Sequence, residues 1–491
     1  KTRRDALAMV EKYGDPRTIA RQLDLAWTYA QVELRRLRIE PDEARRFQQL
    51  AGYILYPGSA LRPAGDRLRQ NRLGQARLWP HGISGDLPIA AVSIGEPDDI
   101  SLVRQMLQAH AYWRLQGLKA DLVILNEESG GYERPLQEQL KRLVDAHSMH
   151  TGVDEPGGIF LRSAEQLAPE DLTLILSAAR VALVAARGPL SQQLGAPTKA
   201  AELPDPLPAR SLPEEPSAPL PFLELPYFNG LGGFTRDGRE YAIYLDPGAC
   251  TPAPWVNVIA NPRFGTLVSE SGSGFSWYGN SQRNRLTGWS NDPVSDAPSD
   301  AIYIRDEETG RYWTPTPLPI READAYRARH GAGYTVFEHN SHSIQQELVV
   351  FVPMDDAGGE PIRVQRLRLR NDSSRPRRLS VTLYVEWTLG EHREDSQVHV
   401  VSRWDGETRT MLACNRYHPV YGERIAFATT GPEPQSHTAD RTGFLGRNGT
   451  MTAPAAMKRI RLAGRVWPGL DPCAAVQTTV HLQPGDGAEV I

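Results

Sequence analysis

Aromatic, amide and guanidinium side chains are concentrated in one glycine-rich block, Ser269 to Asp296. A sugar offers an apolar C–H face and a rim of hydroxyls, which flat rings and planar polar groups can bind together. The glycines let backbone approach such a ligand closely. The block therefore predicts a carbohydrate-binding surface, although each ring taken singly could instead belong to a hydrophobic core. The candidate residues are Phe275, Trp277, Tyr278, Asn280, Arg283, Arg285, Trp289, Asp292 and, beyond the block, Trp313.

Other catalytic motifs are incomplete. The segments GISGD around Ser84 and GFSWYG around Ser276 each miss the Gly-x-Ser-x-Gly nucleophile elbow by one position. No Gly-x-x-x-x-Gly-Lys-Ser/Thr phosphate loop is present in the sequence. These segments therefore predict neither a serine nucleophile nor a nucleotide-binding loop.

Two polar clusters near residue 390 allow other interpretations. His392 and His399, with neighbouring carboxylates, could bind a metal. A carboxylate pair could hydrolyse a glycoside, but only at a specific separation that a sequence does not show. A solvated loop explains both clusters with fewer requirements, so we expect no catalytic residue, no metal ligand and no cofactor in this chain. The acidic residues concerned are Glu386, Glu391, Glu394 and Asp395.

The region from Tyr227 onward has the pattern of an antiparallel β-sandwich. Apolar and polar residues alternate in the segments 344–352, 379–387 and 476–482, which is typical of strands with one face on a core. Turn-forming sequences such as NDSSRPRR and PGDG separate the strands, and no helical period intervenes. We therefore predict a large antiparallel sandwich, or supersandwich, over residues 227–491.

The N-terminal part is organised differently. Apolar residues from Ile19 to Leu37 recur at three- and four-residue spacing, which predicts an amphipathic helix within a helical segment over residues 1–87. Short apolar runs then alternate with helical stretches, which predicts an α/β unit with a parallel sheet over residues 88–190. The first run is followed by GEPDD rather than a glycine fingerprint, so no dinucleotide site is expected.

A proline-rich stretch joins these two parts of the chain. Between Gly195 and Pro226 the residues are mainly Pro, Ala, Glu, Leu and Ser. Such a composition does not bury enough apolar surface to fold alone. We therefore predict a semi-rigid extended linker over residues 191–226.

The overall composition is that of a soluble globular protein, with 40% hydrophobic and 23% charged residues. A formal net charge of −4 and a pI near 6.4 predict no nucleic-acid partner. Three scattered cysteines fit a reducing compartment, and the sequence shows neither a signal peptide nor an apolar stretch of transmembrane length. Because Lys1 begins within a helix-like run without Met, we expect a fragment of a longer polypeptide.

Several long segments resemble one known family. The segments FNGLGGFTRDGREYAIYL, TPAPWVNVIANPRFGTLVSESGSGFSWYGNSQRNRLTGWSNDPVSD and IYIRDEETGRYWTPTPLP are similar to the N-terminal sandwich of the glycoside hydrolase family 94 phosphorylases. The resemblance is greatest to the cyclic β-1,2-glucan synthases, which carry such a module. The segments LAWTYAQVELRRL, FQQLAGYILYP and NRLGQARLWPHGISGDLPIAAVSI extend the resemblance toward the N-terminus, so that it covers most of the chain except the linker.

The resemblance implies a position beside catalysis. In the family a catalytic aspartate lies on an (α/α)6 barrel that follows the sandwich, and the synthases also have a membrane-bound domain that uses UDP-glucose. The resemblance therefore implies a synthase segment that is inactive alone and lies at the cytoplasmic face of the inner membrane through its parent protein. The implied partners are β-1,2-glucan or gluco-oligosaccharides and the remaining domains of the parent polypeptide.

Three hypotheses about function follow. In the first, the chain binds or positions glucan beside a phosphorylase-like catalytic barrel. In the second, the sandwich is a purely structural or dimerisation module, including a homodimer, without sugar contact. In the third, the chain alone acts as a phosphorylase or hydrolase, which we do not expect because the resemblance places the catalytic acid elsewhere.

Overall fold

The computed structural model describes residues 2–56, 58–129, 134–148, 152–195, 202–213, 215–354 and 358–491. Contacts divide the chain into two compact units. The first unit comprises Lys1–Pro63 and Gln75–Thr198, and the second comprises Ala64–Gly74 and Lys199–Ile491. The limits at residues 87, 190 and 226 that the sequence suggests stay predictions of domain boundaries.

Helix α2 begins at an ordinary capping signal. In α2, Asp15 is the N-cap, its side chain accepts the Arg17 N–H at 3.0 Å, and Pro16 occupies the first position. Among the described residues, no helix combines the length and the apolar character needed to cross a membrane. The α-helices are α1 (Arg3–Tyr13), α2 (Pro16–Leu37), α3 (Pro41–Leu55), α4 (Gly65–Gln70), α5 (Ile100–Leu115), α6 (Pro135–Ser148), α7 (Pro169–Ala178), α8 (Leu190–Gly195), α9 (Arg393–Ser396) and α10 (Arg441–Leu445).

The first unit is built on a parallel sheet. Its strands lie in the order β3-β2-β1-β4, and every pairing is parallel. All residues of β1 and β2 are buried because helices supply apolar side chains to their core, including Phe47 and Trp113. The predicted α/β arrangement is confirmed. The strands are β1 (Ile89–Ile94), β2 (Asp121–Asn126), β3 (Ile159–Ser163) and β4 (Ala179–Val184).

The second unit contains antiparallel strands arranged in three sheets. The largest has the order β12-β11-β17-β10-β9-β8-β7, with β22 also paired to β17 and β21 to β22. The second has the order β23-β16-β15-β14-β13-β6-β5, and a small third sheet is β18-β19-β20. The strands are β5 (Gly232–Phe234), β6 (Glu240–Leu245), β7 (Val256–Ala260), β8 (Phe264–Ser269), β9 (Gly274–Tyr278), β10 (Arg285–Thr287), β11 (Asp300–Asp306), β12 (Tyr312–Trp313), β13 (Tyr326–Gly331), β14 (Tyr334–Ser341), β15 (Ile344–Phe351), β16 (Val364–Asn371), β17 (Arg377–Gly390), β18 (Val400–Asp405), β19 (Thr410–Asn415), β20 (Ala426–Ala428), β21 (Ser436–Asp440), β22 (Pro472–Leu482) and β23 (Gly487–Val490).

The two larger sheets share one hydrophobic core. In β15 buried residues alternate with partly exposed ones along all eight positions, so that Ile344 and Leu348 face the core. Leu379 and Val381 of β17 meet them from the other sheet. This face-to-face packing of antiparallel sheets confirms the predicted supersandwich.

The proline-rich stretch does not stand free as a spacer. We call its described part, residues 202–213 and 215–226, the strap; residues 196–201 and 214 of the predicted linker lie outside the described residues. The strap belongs to the second unit because its backbone polar groups find partners there. The linker over residues 191–226 stays a prediction, and its residues 191–195 lie in α8. The bonds join Leu207 N to Lys458 O (2.9 Å), Arg210 N to Glu308 O (2.8 Å), Arg327 Nη1 to Pro221 O (2.7 Å) and Asn340 Nδ2 to Ala218 O (3.0 Å).

Candidate functional site

Most of the predicted site residues lie on or beside three adjoining strands, β8, β9 and β10. In this arrangement Trp277 is opposite Gly265 on one side and Arg285 on the other. Gly274 begins β9 with φ of +148°, and a Cβ there would lie 1.8 Å from the Leu267 carbonyl oxygen. Only glycine fits this position, which fixes the register that brings the aromatic residues together.

Strand alternation divides the predicted aromatic residues between two faces. Phe275 and Trp277 are two residues apart and point to one face of β9, whereas Ser276 and Tyr278 point to the other. The aromatic residues of this block, which the sequence suggested as one surface, are therefore divided between two faces of the sheet.

The first face carries a compact aromatic group that we call the platform: Trp277, Trp289 and Arg285, with Phe275 beneath them. The Phe275 and Trp289 rings are stacked, with centroids 4.9 Å apart and an interplanar angle of 14°. The Arg285 guanidinium carbon lies 5.5 Å from the Phe275 centroid and 5.8 Å from the Trp289 centroid. Trp277 and Trp289 are half-buried, while Phe275 is buried. The platform therefore combines fixed rings with a cation.

Glycine also fixes the Trp277 ring. A Cβ at Gly265 would lie 2.2 Å from the Trp277 ring, so the indole rests directly on the backbone of β8. Arg285 is held by its Nε, which donates to the Ser281 carbonyl at 3.2 Å. Both platform side chains are thus oriented before any ligand arrives.

The predicted polar residues mainly build turns beside the platform. Asn280 accepts the backbone N–H groups of Gln282 and Arg283 at 2.9 and 2.8 Å. Asp292 accepts the Ser295 hydroxyl at 2.5 Å and the Val294 N–H at 3.0 Å, and these bonds lower the pKa of its carboxyl. Asn280 and Arg283 are exposed and Asp292 is half-buried.

Trp313 is a core residue rather than a ligand surface. It is 0% exposed, and its indole N–H donates to Gln346 Oε1 at 3.0 Å. Its ring lies 4.3 Å from the His342 ring. The predicted contact between Trp313 and a sugar is corrected on this ground, because no face of the indole is open. Phe275, at 4% exposed, supports Trp289 from below instead of offering a face of its own.

Tyr278 lies on the opposite face, in a row of rings that the sequence did not single out. Its ring lies 6.5 Å from that of Tyr421 at 87°, and the Arg424 guanidinium carbon is 5.3 Å from its centroid. His418 accepts the Val420 and Tyr421 N–H groups at Nδ1 and donates from Nε2 to the Arg283 carbonyl at 3.0 Å. The segment HPVYGER, with aromatic and charged residues around glycine, is the signal that would have identified this row.

The row lines part of a cleft of about 620 Å³. Tyr278, Asn284, Tyr421 and Arg424 are among the residues that line it. Its interior is mainly apolar, with Leu383 among the residues that line it.

The carboxylates considered for glycoside hydrolysis do not form an open pair around this site. Glu386 accepts the Tyr384 hydroxyl at 2.8 Å and Arg441 Nε at 2.7 Å, so it belongs to an ion-pair network. Glu391, Glu394 and Asp395 are exposed.

The histidines considered for a metal site are also placed otherwise. The His399 ring stacks on Tyr417, with centroids 3.8 Å apart. His392 is exposed at the start of α9. Within the described ranges, no group of three or more His, Cys, Asp or Glu residues is placed to hold a metal ion.

Comparison with known proteins gives one family and several relatives. The family model described as "Glycosyl hydrolase 94, supersandwich domain" matches residues 239–491. Cyclic beta-(1,2)-glucan synthase NdvB of Rhizobium meliloti (strain 1021) is 36% identical over 490 residues, which cover 97% of this chain and 17% of the relative. N,N'-diacetylchitobiose phosphorylase of Vibrio furnissii is 29% identical over 262 residues, 52% of this chain and 32% of that enzyme. Solabiose phosphorylase of Paenibacillus borealis is 29% identical over 263 residues, 52% of this chain and 33% of that enzyme. The chain thus spans a third or less of each of these relatives.

Proposed function

We propose, from the premise that this chain belongs to the glycosyl hydrolase 94 supersandwich family, that it binds a β-linked glucan on the platform and positions it for a phosphorylase-type catalytic domain. The proposal assigns the chain to glucan metabolism, as part of a larger enzyme of the cyclic β-1,2-glucan synthase kind. Its ligand would be β-1,2-glucan or a gluco-oligosaccharide.

One observation carries the proposal: the stacked and oriented rings of the platform with Arg285 beside them. A pyranose lays its C–H face on an indole ring while its equatorial hydroxyls reach groups at the rim. Arg285 supplies donors at that rim. Because the rings are already packed, little side-chain entropy is lost when a sugar binds.

We further propose that the chemistry is supplied by other parts of the enzyme. No helical barrel is present among the described residues of the second unit, and the carboxylates near Glu386 serve ion pairs or lie in solvent. The chain alone is therefore expected to be inactive toward glucan and phosphate. The parent enzyme would place it at the cytoplasmic face of the inner membrane.

Isothermal titration with β-1,2-gluco-oligosaccharides tests the binding. We expect weak binding that is lost, by tenfold or more, in Trp277→Ala and in Trp289→Ala. Tyr278→Ala reports on the opposite face, so a larger loss there than in Trp277→Ala would move the glucan to the cleft. The matched control is Trp79→Ala, which removes an exposed indole from the first unit. Unchanged binding in both platform variants would remove the platform from the site.

A purely structural or dimerisation module is the second candidate. It is favoured by Phe275 and Trp313, two predicted site residues that are instead buried. In that case the chain would ignore oligosaccharides, and sedimentation would show self-association that depends on the exposed face of the sandwich.

A further inference from the structure

The floor of the cleft is one face of β17. Its lining residues from this strand are two apart, as expected when a cavity lies over a strand face. They are all apolar, so the floor would accept apolar side chains. The floor residues are Val381, Leu383, Val385, Trp387 and Leu389.

The two walls of the cleft are different, because consecutive residues line them. The stretch 423–430 lines one wall without a gap, and the stretch 361–365 lines the other. Consecutive residues of an extended chain face the same cavity only when its edge, rather than its face, is turned toward it. The cleft therefore runs between two backbone edges above a strand face.

One of these edges belongs to β20, Ala426–Ala428. This strand pairs with β19 on one side, and no described strand pairs with its other side. Such an edge presents unpaired N–H and C=O groups. Ile425 and Phe427 are 55% and 47% exposed, so the edge is also apolar.

Backbone pairing has already begun just beyond this edge. Gly431 N donates to the Ile491 carbonyl at 2.7 Å, and Ile491 N donates to the Gly431 carbonyl at 2.8 Å. This reciprocal pair is the first rung of an antiparallel ladder. The following rungs would lie along β20, inside the cleft.

We propose that the cleft is an acceptor slot for one extended polypeptide segment, which adds as a strand to the free edge of β20. Its alternate apolar side chains would cover the β17 floor. The strand in this wall, Ala426–Ala428, offers three residues of edge, roughly 10 Å at 3.3 Å per residue. Arg424, at the rim, pairs with none of the described carboxylates, which favours a segment that carries an acidic residue near one end.

The origin of the segment rests on the proposed function: it comes from the larger phosphorylase-type polypeptide. Binding by strand addition gives affinity through main-chain hydrogen bonds and specificity through alternate side chains. An extended polypeptide matches the spacing of successive N–H and C=O groups along a strand edge and carries apolar side chains for the floor, and for this reason the geometry favours polypeptide over glucan in the cleft.

The probe is a fluorescent synthetic peptide that covers the residues immediately after the matched region in the Rhizobium meliloti synthase, with a scrambled peptide as control. We expect saturable binding by the first peptide alone. In hydrogen–deuterium exchange of the unmutated chain, the peptide should slow by at least tenfold those amides of β20 that do not pair with β19. This measurement does not depend on any variant.

Proline variants test the edge directly. Because N–H groups alternate between the two sides of a strand, one of Phe427→Pro and Ala428→Pro removes a donor that faces the cleft and should weaken binding at least tenfold. Val258→Pro on β7, a free edge at the end of another sheet, is the matched control and should leave binding unchanged. Near-ultraviolet circular dichroism confirms that each variant is folded.

The slot is overturned if the peptide does not bind, if protection falls on β7, or if gluco-oligosaccharide displaces the peptide. Protection that rises with protein concentration without peptide would assign the edge to a second copy and also overturn the proposal. Titration of the platform variants is a separate measurement. Loss of the glucan result with retention of the peptide result would therefore defeat the proposed function and leave the slot standing.

Discussion

Strand β17 supports two regions of one sandwich that are closed to very different degrees. We call residues 377–380 the closed half and residues 381–389 the open half. Over the closed half, Leu379 is fully buried beneath side chains of the seven-stranded sheet, including Leu348 and Leu369. Over the open half, part of the second layer is the small sheet β18-β19-β20 and part is the cleft. The two halves belong to the same strand, but different layers of the sandwich cover them.

The difference shows that apolar residues alone do not close a sandwich. The residues of the open half that line the cleft are all apolar, yet the layer above them ends in a free strand edge. The closed half is covered by β15 and β16, which pair with each other along all eight residues of each strand. Buried polar groups near it are hydrogen-bonded, such as Trp313 to Gln346. Closure therefore depends on the presence of a strand whose backbone can be paired.

The largest expected effect is the pH dependence of the stability of the closed half. Glu322 accepts His339 Nε2 at 3.0 Å and His342 Nε2 at 2.6 Å, and the His342 ring packs on Trp313. Burial raises the pKa of Glu322, but the bonds from both histidines outweigh it and bring the pKa from 4.5 to about 2. The stabilisation, about 3 kcal/mol, is complete above pH 4.5 and is lost as the pH falls toward 2.

Urea denaturation of the native chain and of Glu322→Gln at several pH values measures this contribution. The free energy of unfolding should differ most above pH 5, and the difference should shrink as the pH falls below 4. A constant difference across that range would show that the ionised carboxylate does not stabilise the closed half.

The second prediction compares equal enlargements in the two halves. Leu379→Phe adds volume where the layer is full, and we expect it to lower the free energy of unfolding by about 1–3 kcal/mol. Leu383→Phe adds the same volume beside the cleft, and we expect a change of less than about 0.5 kcal/mol because the ring has space. The same Leu383→Phe variant should weaken peptide binding, since the ring occupies the floor of the slot. Equal destabilisation by both variants would mean that the open half is not open in solution.

The sequence predicted the strands of each layer, but it did not predict which parts of a layer are fully covered. Alternation in β15 and β17 was sufficient to identify antiparallel strands with one buried face, since burial and periodicity are local properties. It was not sufficient to place Trp313 in the core, because a ring near the surface and a ring in the interior have the same sequence pattern. Nor could it show that Trp277 and Tyr278, adjacent in sequence, serve opposite faces until the register was fixed by Gly274. The free edge of β20 depends on which strands pair, which is a non-local property.

The smallest expected effect concerns the strap, which covers the closed half. Leu212 and Pro213 line a small pocket together with Trp313 and Arg377, so the strap contributes to closure at that end.

The strap is held further along, where the Leu223 N–H donates to the Tyr244 hydroxyl at 2.5 Å. Tyr244→Phe removes this acceptor, at a cost of about 1 kcal/mol, and should speed tryptic cleavage after Arg210 about fivefold. Tyr29→Phe on α2, where the tyrosine is 67% exposed, is the matched control and should leave the cleavage rate unchanged. If the native strap is instead cleaved as fast as a free peptide, its bonds do not hold it on the sandwich, and closure of this half must come from Trp313 and the histidine pair alone.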